Sequence, residues 1–184
     1  MDSNFERISK GKQYNSNLSL QIIDATYVKS IYGEDCIGKN PTDGGRNATK
    51  VSILVDKKGS PTSYVIAEGN INDNALFEKT LANAKLKSNK KPLLLADKDY
   101  SSSKNKEIAA QYKFNLIAPN KRNFKKPIFK KNKKIKLRYK VEACNSWIKQ
   151  FRELRLRYCK LISSYESFLL LSFSIISFRK MASF

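Results

Sequence analysis

Leu18-Ser19-Leu20-Gln21-Ile22-Ile23-Asp24-Ala25-Thr26-Tyr27 is the stretch on which the fold turns. Leu20, Ile22 and Ile23 make an apolar run that closes on an acid, so residues 18–27 are predicted to form a first strand carrying Asp24. Two more apolar runs follow at 51–56 and 63–68, with Gly59 and Pro61 supplying the turn between them. These three strands are expected to form an antiparallel meander. Residues 33–48 hold Pro41, Gly44 and Gly45 among several Asn and Asp side chains, and read as a loop or wide hairpin.

Further along, short apolar runs alternate with helical segments. Asp73 is placed to cap a helix over 74–85. Residues 92–96 are a continuous apolar run ended by Asp97, the pattern of a buried strand. Ser101, Ser102 and Ser103 offer an N-cap for a helix over 104–112, and 114–118 give a fifth strand that Pro119 stops. After a basic loop at 119–140, a long helix is expected over 140–158, with Val141, Cys144, Ile148 and Phe151 on one apolar face. The apolar run 168–178 is followed by Arg179 and Lys180 and is too short to span a bilayer, so it is expected to pack as a helix. The order calls for an α/β fold: a mixed five-stranded sheet flanked by helices over 18–180, preceded by a polar arm at 1–17.

Charge is distributed unevenly along the 184 residues. The formal charge is +20, and residues 85–184, with 26 basic and six acidic side chains, carry all of it. A polyanion such as nucleic acid is the natural partner for that field, ahead of an acidic membrane surface. Between Lys121 and Lys140, 11 of 20 residues are basic and none is acidic, and Phe124 and Phe129 are interleaved with them. Lys121, Arg122, Lys125, Lys126, Lys133 and Lys134 are therefore candidate DNA contacts. The three cysteines are unpaired in spacing and the chain has no His, which argues against a zinc site and against a secreted disulfide framework. A cytoplasmic location, nucleoid- or nucleus-associated through DNA, is the expectation.

Arg138, Glu142 and Lys149 are spaced four and then seven apart, which at about 100° per residue puts them within a ~40° arc of one helix face. The plain reading is an i,i+4 ion pair on a solvated helix. The other reading comes from the strands. If the first and fourth lie side by side, Asp24 and Asp97 fall at neighbouring strand ends, and a helix crossing the sheet can bring Glu142 to the same place. Clustered acids stay ionised only when a cation neutralises them. Hard oxygen donors favour Mg²⁺ or Mn²⁺, and two such ions can clamp the attacking and leaving oxygens of a phosphodiester. Taken singly, each Asp reads equally as a turn or helix cap.

Together these residues resemble the catalytic domain of insertion-sequence transposases of the DDE superfamily, which has a ribonuclease-H-like fold. Ile22-Ile23-Asp24-Ala25-Thr26-Tyr27-Val28-Lys29 resembles the first acidic motif, Thr49-Lys50 through Asp56 and Gly59 the following strand pair, and Ala96-Asp97-Lys98-Asp99-Tyr100-Ser101 the second acidic motif. The third motif, Tyr-x2-Arg-x3-Glu-x6-Lys, maps onto Ile135, Arg138, Glu142 and Lys149. The resemblance implies that Asp24, Asp97 and Glu142 are the catalytic acids and hold Mg²⁺ or Mn²⁺, with Arg138 and Lys149 on the DNA backbone. It implies an endonuclease that hydrolyses transposon DNA ends and then joins the 3′-hydroxyl to target DNA. It also implies double-stranded DNA as partner, a homo-oligomer during transposition and no membrane.

Some positions depart from the family pattern. Ile135 stands where the motif has Tyr, Ser52 where relatives often carry His, and Asp99 where a small residue is usual. Asn70 and Asp73 fall where a polar pair is common, and an N-terminal end-binding domain is expected to be absent. Two alternatives therefore accompany an active transposase: an inactive, truncated remnant that binds DNA without cutting it, and a basic RNA-binding protein.

Overall fold

The computed structural model describes residues 17–84, 91–119 and 133–182. At its centre lies β1 (Leu20–Ser30), an 11-residue strand whose Ile22 and Ile23 are both fully buried although they point to opposite faces. Burial on both faces is what an unbroken apolar run selects, since each face must be covered by helices. Next in the chain come β2 (Gly38–Asn40), β3 (Arg46–Asp56) and β4 (Pro61–Glu68). β1 pairs antiparallel with β3, and β3 antiparallel with both β2 and β4, so the expected meander forms. The segment expected to be a loop at 33–48 holds the short β2 and the start of β3. Gly44 and Gly45 take positive φ of 58° and 72°, which lets the chain turn between them.

The second half adds parallel strands on the other edge of β1. Helix α1 (Asp73–Ala82) leads to β5 (Leu93–Leu95), and α2 (Ser103–Gln111) to β6 (Asn115–Ile117), giving the order β2-β3-β1-β5-β6. β5 pairs with Leu20 to Ile22, so the first and fourth expected strands are neighbours. The segment matching the third motif then forms a 3-10 turn, Lys133–Arg138, running directly into α3 (Tyr139–Ile148). After α4 (Arg152–Arg155) comes β7 (Leu156–Arg157), and the last helix is α5 (Ile162–Ala182). Among the described residues no helix is long and apolar enough to cross a membrane.

Two apolar layers sandwich the sheet. Ile22, Val51, Ile53, Val55 and Leu95 meet Val141, Cys144 and Ile148 of α3 and Tyr165, Leu169, Phe173 and Ile176 of α5. On the other face Ile23, Leu54 and Leu94 meet Phe77 and Leu81 of α1 and Ile108 and Ala109 of α2. Each buried Leu, Ile or Phe of this kind stabilises the fold by about 1.5–3 kcal/mol.

Two expectations are corrected. The long helix over 140–158 stops at Ile148: Lys149 caps it, and Phe151 turns extended with φ −75° and ψ 125°. The break frees Leu156 and Arg157 to pair parallel with Lys29 and Ser30 at the far end of β1. There Arg157 is fully buried, donating to the Asp35 carboxylate and, at 2.7–3.1 Å, to Thr49 Oγ1 and the carbonyls of Asp35, Cys159 and Lys160. A guanidinium satisfied on every side supplies partners that one more helical turn would not. The second correction is the cap of α1. Asn72, extended at φ −68° and ψ 142°, accepts from the Asn74 N–H, while Asp73 is the first helical residue and pairs with Lys50 Nζ at 2.8 Å.

Candidate active site

Strand pairing opens a gap in the sheet where the acids stand. β1 is paired on one edge by β5 over Leu20 to Ile22 and by β7 over Lys29 and Ser30, so Asp24 lies just past the carboxyl end of β5 with neither strand beside it. Crevices at the carboxyl ends of parallel strands are where α/β sheets accept ligands. Across β3, Asp24 registers with Ile53, whose side chain packs under α3 and α5, so Asp24 faces the α3 side. Asp97 follows Leu95 by two residues and caps the 3-10 turn Lys98–Tyr100, its Oδ1 accepting from the Lys98 N–H at 2.6 Å. Of the two readings of Asp97, the structure shows the cap.

Arg138 ties this corner to α3. Its Nη1 donates to the same Asp97 Oδ1 at 3.0 Å, and its Nη2 stands 3.9 Å from Glu142 Oε1. The i,i+4 ion pair read from the sequence is therefore present but is the looser of the two. With its side chain only 20% exposed, Arg138 makes the shorter bridge to an acid 41 residues away in sequence. Asp24 feels the same charges. Burial pushes its carboxyl up to about 6; the Ala25 amide and Arg138 pull it down, and Asp97 and Glu142 push it up again. The arrangement is three carboxylates around one guanidinium. Among the described residues no three acidic side chains stand close enough together to share one metal ion.

A residue that the sequence reading missed completes the corner. Asn145 of α3 is buried and donates through Nδ2 to Asp24 Oδ2 at 3.1 Å, while its own Oδ1 is buried without a hydrogen-bond partner. The available signal was its position three residues after Glu142, one turn along the helix. Lys149, at the opposite end of α3, caps the helix, and the ion-pair partner of the acids is Arg138. Lys121, Arg122, Lys125 and Lys126 lie outside the described residues; Lys133 and Lys134 open the 3-10 turn that leads to Arg138.

The departures from the family pattern sort by face. Ser52 registers with Ala25 rather than Asp24 and accepts from Thr80 Oγ1 at 2.8 Å, so it packs α1 against the sheet on the side away from the acids. Asp99 lines a separate open cleft of about 350 Å³ with Tyr27, Lys50, Asn70 and Asp73. In that cleft Lys50 is nearly buried, bonded to Asp73 Oδ1 and the Ile71 carbonyl, with its Nζ 4.5 Å above the Tyr27 ring.

The strand-end placement expected for Asp24 is corrected: β1 runs on to Ser30, so Asp24 stands inside the central strand, with Asp97 just past the end of the neighbouring β5 and Glu142 on a helix across the sheet, in a mixed sheet compatible with a ribonuclease-H-like α/β domain. The family model described as the transposase DDE domain matches residues 15–176, and the chain belongs to that family. Among solved structures, it is similar to a piggyBac transposase in a synaptic complex with hairpin DNA, at 14% identity and a TM-score of 0.43. That match covers 58% of this chain and 24% of the piggyBac chain, so the present chain spans about a quarter of that protein's length. No curated protein matches the chain.

Proposed function

We propose that this domain cleaves phosphodiester bonds at transposon DNA ends and transfers the freed 3′-hydroxyl to target DNA, acting as more than one copy on double-stranded DNA. The observation that carries the reading is the Arg138 bridge, which ties Asp97 to Glu142 and whose charge also acts on the half-buried Asp24. Carboxylate-only donors suit Mg²⁺ or Mn²⁺, and the unpartnered Oδ1 of Asn145 adds one more oxygen acceptor next to Asp24. Asp24, Asp97 and Glu142 would hold the ions once drawn closer together than they stand here, and bound ions would supply activation of the attacking oxygen and stabilisation of the leaving one. Arg138 neutralises the acids when they are unloaded and can turn to a DNA phosphate when they are loaded. Its fork of donors serves either anion. Asn145 holds the Asp24 carboxylate in one orientation, which ordered binding requires.

The test is Mg²⁺-dependent nicking or strand transfer on a DNA end by the purified protein. Asp24→Ala, Asp97→Ala and Glu142→Ala should each abolish it, and unchanged cleavage in all three overturns the reading. A second reading, a domain that binds DNA without cutting it, is favoured by the spread of the acids and by Ile135 in place of the motif's Tyr. DNA binding with no Mg²⁺-dependent cleavage would select it.

A further inference from the structure

On the flank of α3 turned away from Glu142, three lysines from three separate elements meet at a small groove. Lys58 comes from the β3–β4 turn, Lys140 from α3 and Lys180 from α5, and Gly59, Tyr139, Ala143, Cys144, Trp147 and Ile176 complete the lining. No acid is among the lining residues. The groove holds about 80 Å³, well below the 300–1,000 Å³ typical of a small-molecule pocket. It suits a group presented on the surface of a polymer.

The groove is built rather than a chance meeting of long side chains. Asp56 Oδ1 accepts from the N–H groups of Lys58 and Ser60 at 2.8 Å each, which fixes the turn. Gly59 sits at φ +88°, and a Cβ there would come within 3.4 Å of the Lys140 carbonyl, so the turn rests against α3. Aromatic rings support the cations: Lys180 Nζ lies 5.1 Å and Arg179 Cζ 5.5 Å from the Trp147 ring centre, and Lys140 Nζ 5.6 Å from that of Tyr139.

We infer that this groove binds backbone phosphates of the DNA strand opposite the one held at the acids. By helical phase, Lys140, Ala143 and Trp147 lie roughly 100–160° around α3 from Glu142. An α-helix with its side chains is about 10–12 Å across, and the major groove of B-DNA is about 12 Å wide. A duplex straddling α3 therefore presents one strand to each flank. The acids meet one backbone and the three lysines the other. The inference rests on the proposed action on double-stranded DNA and adds the surface that holds the uncut strand.

Trp147 is the chain's one tryptophan, so its emission reports on this groove alone. The experiment titrates the full chain with a 30-base-pair duplex in EDTA, following Trp147 emission and, in parallel, the anisotropy of labelled DNA at several salt concentrations. Expected are a change in emission that tracks DNA binding and, in a Lys58→Ala/Lys140→Ala/Lys180→Ala variant with an unchanged circular dichroism spectrum, a log–log salt slope shallower by about 3, near 0.9 for each lost contact. The wild-type emission readout stands if the variant fails to fold. Duplex binding by anisotropy with emission unchanged overturns the groove while leaving the proposed function in place. Absence of DNA binding by anisotropy overturns the proposed function and the groove with it. Tighter binding of single-stranded RNA than of the duplex, with the same emission change, assigns the groove to RNA and overturns the inference.

Discussion

Arg138 and Asp97 meet at 3.0 Å although 41 residues separate them, and their contact joins the carboxyl end of β5 to the start of α3. Asp97 Oδ1 accepts at once from this guanidinium and from the Lys98 amide. One oxygen thus holds both a turn and the start of α3.

Removing that cation should make the site more responsive to metal. In Arg138→Ala the three acids lose their neutralising charge, so repulsion among them grows and an added divalent cation relieves more of it. Thermal unfolding with and without 5 mM Mg²⁺ checks this, with a larger Mg²⁺-induced rise in Tm expected in the variant than in the wild type. An equal or smaller rise would show that Arg138 does not compete for the acids.

Asp24 makes the fold sensitive to pH in a defined direction. Its carboxyl is raised from 3.8 to about 6, so between those values the folded state binds more protons than the unfolded chain, and stability falls as pH rises through that window. Above it the ionised group costs on the order of 2 kcal/mol. Asp24→Asn removes the cost: urea unfolding at pH 8 should show a gain of about 1–2 kcal/mol that fades below pH 4. A variant less stable than the wild type at pH 8 contradicts this.

Asn145 should matter to metal more than to folding. Asn145→Leu keeps the branched outline of the side chain but leaves Asp24 Oδ2 without its donor at 3.1 Å. Loss of an orienting partner of this sort typically costs about 10–100-fold in metal affinity or activity. The Mg²⁺ concentration for half-maximal cleavage should rise by that order, and a change in DNA affinity alone would point to a different role.

Arg157 should behave as a structural keystone with no part in chemistry. It is fully buried and donates to Asp35, Thr49 and three carbonyls, and Asp35 in turn accepts from the first amide of α5 at 3.0 Å. Arg157→Met strands those acceptors, and breaking a buried pair costs about 3–5 kcal/mol. For a domain of this size that is a fall in Tm of roughly 6–20 °C, read by calorimetry.

The strands were legible because burial on both faces leaves unbroken apolar runs, as in Leu93 to Leu95. The site was legible in part. Asp97 follows from a strand end, Asp24 from the apolar run that precedes it although β1 continues past it to Ser30, and Arg138 with Glu142 from helical spacing, but the short bridge from Arg138 to Asp97 depends on packing α3 across the sheet. Nothing local marks the break at Phe151, since Val141, Cys144, Ile148 and Phe151 keep helical phase; the pairing of β7 with distant Lys29 and Ser30 decides it. Asn72 and Asp73 are both good caps by type, and only backbone conformation chooses Asn72. Arg157 was hidden because Arg is rarely buried, and its partners come from Asp35 and Thr49, more than 100 residues away.

The two short parallel strands on one edge of β1 have a mechanical consequence. Through the salt bridge at its front, α3 is fastened to the end of β5; through α4 and β7 behind it, the same helix is moored to the far end of β1. A helix held at one end to β5 and at the other to β1 does not slide along the sheet. Between the two anchors, Val141, Cys144 and Ile148 seat the helix in the core.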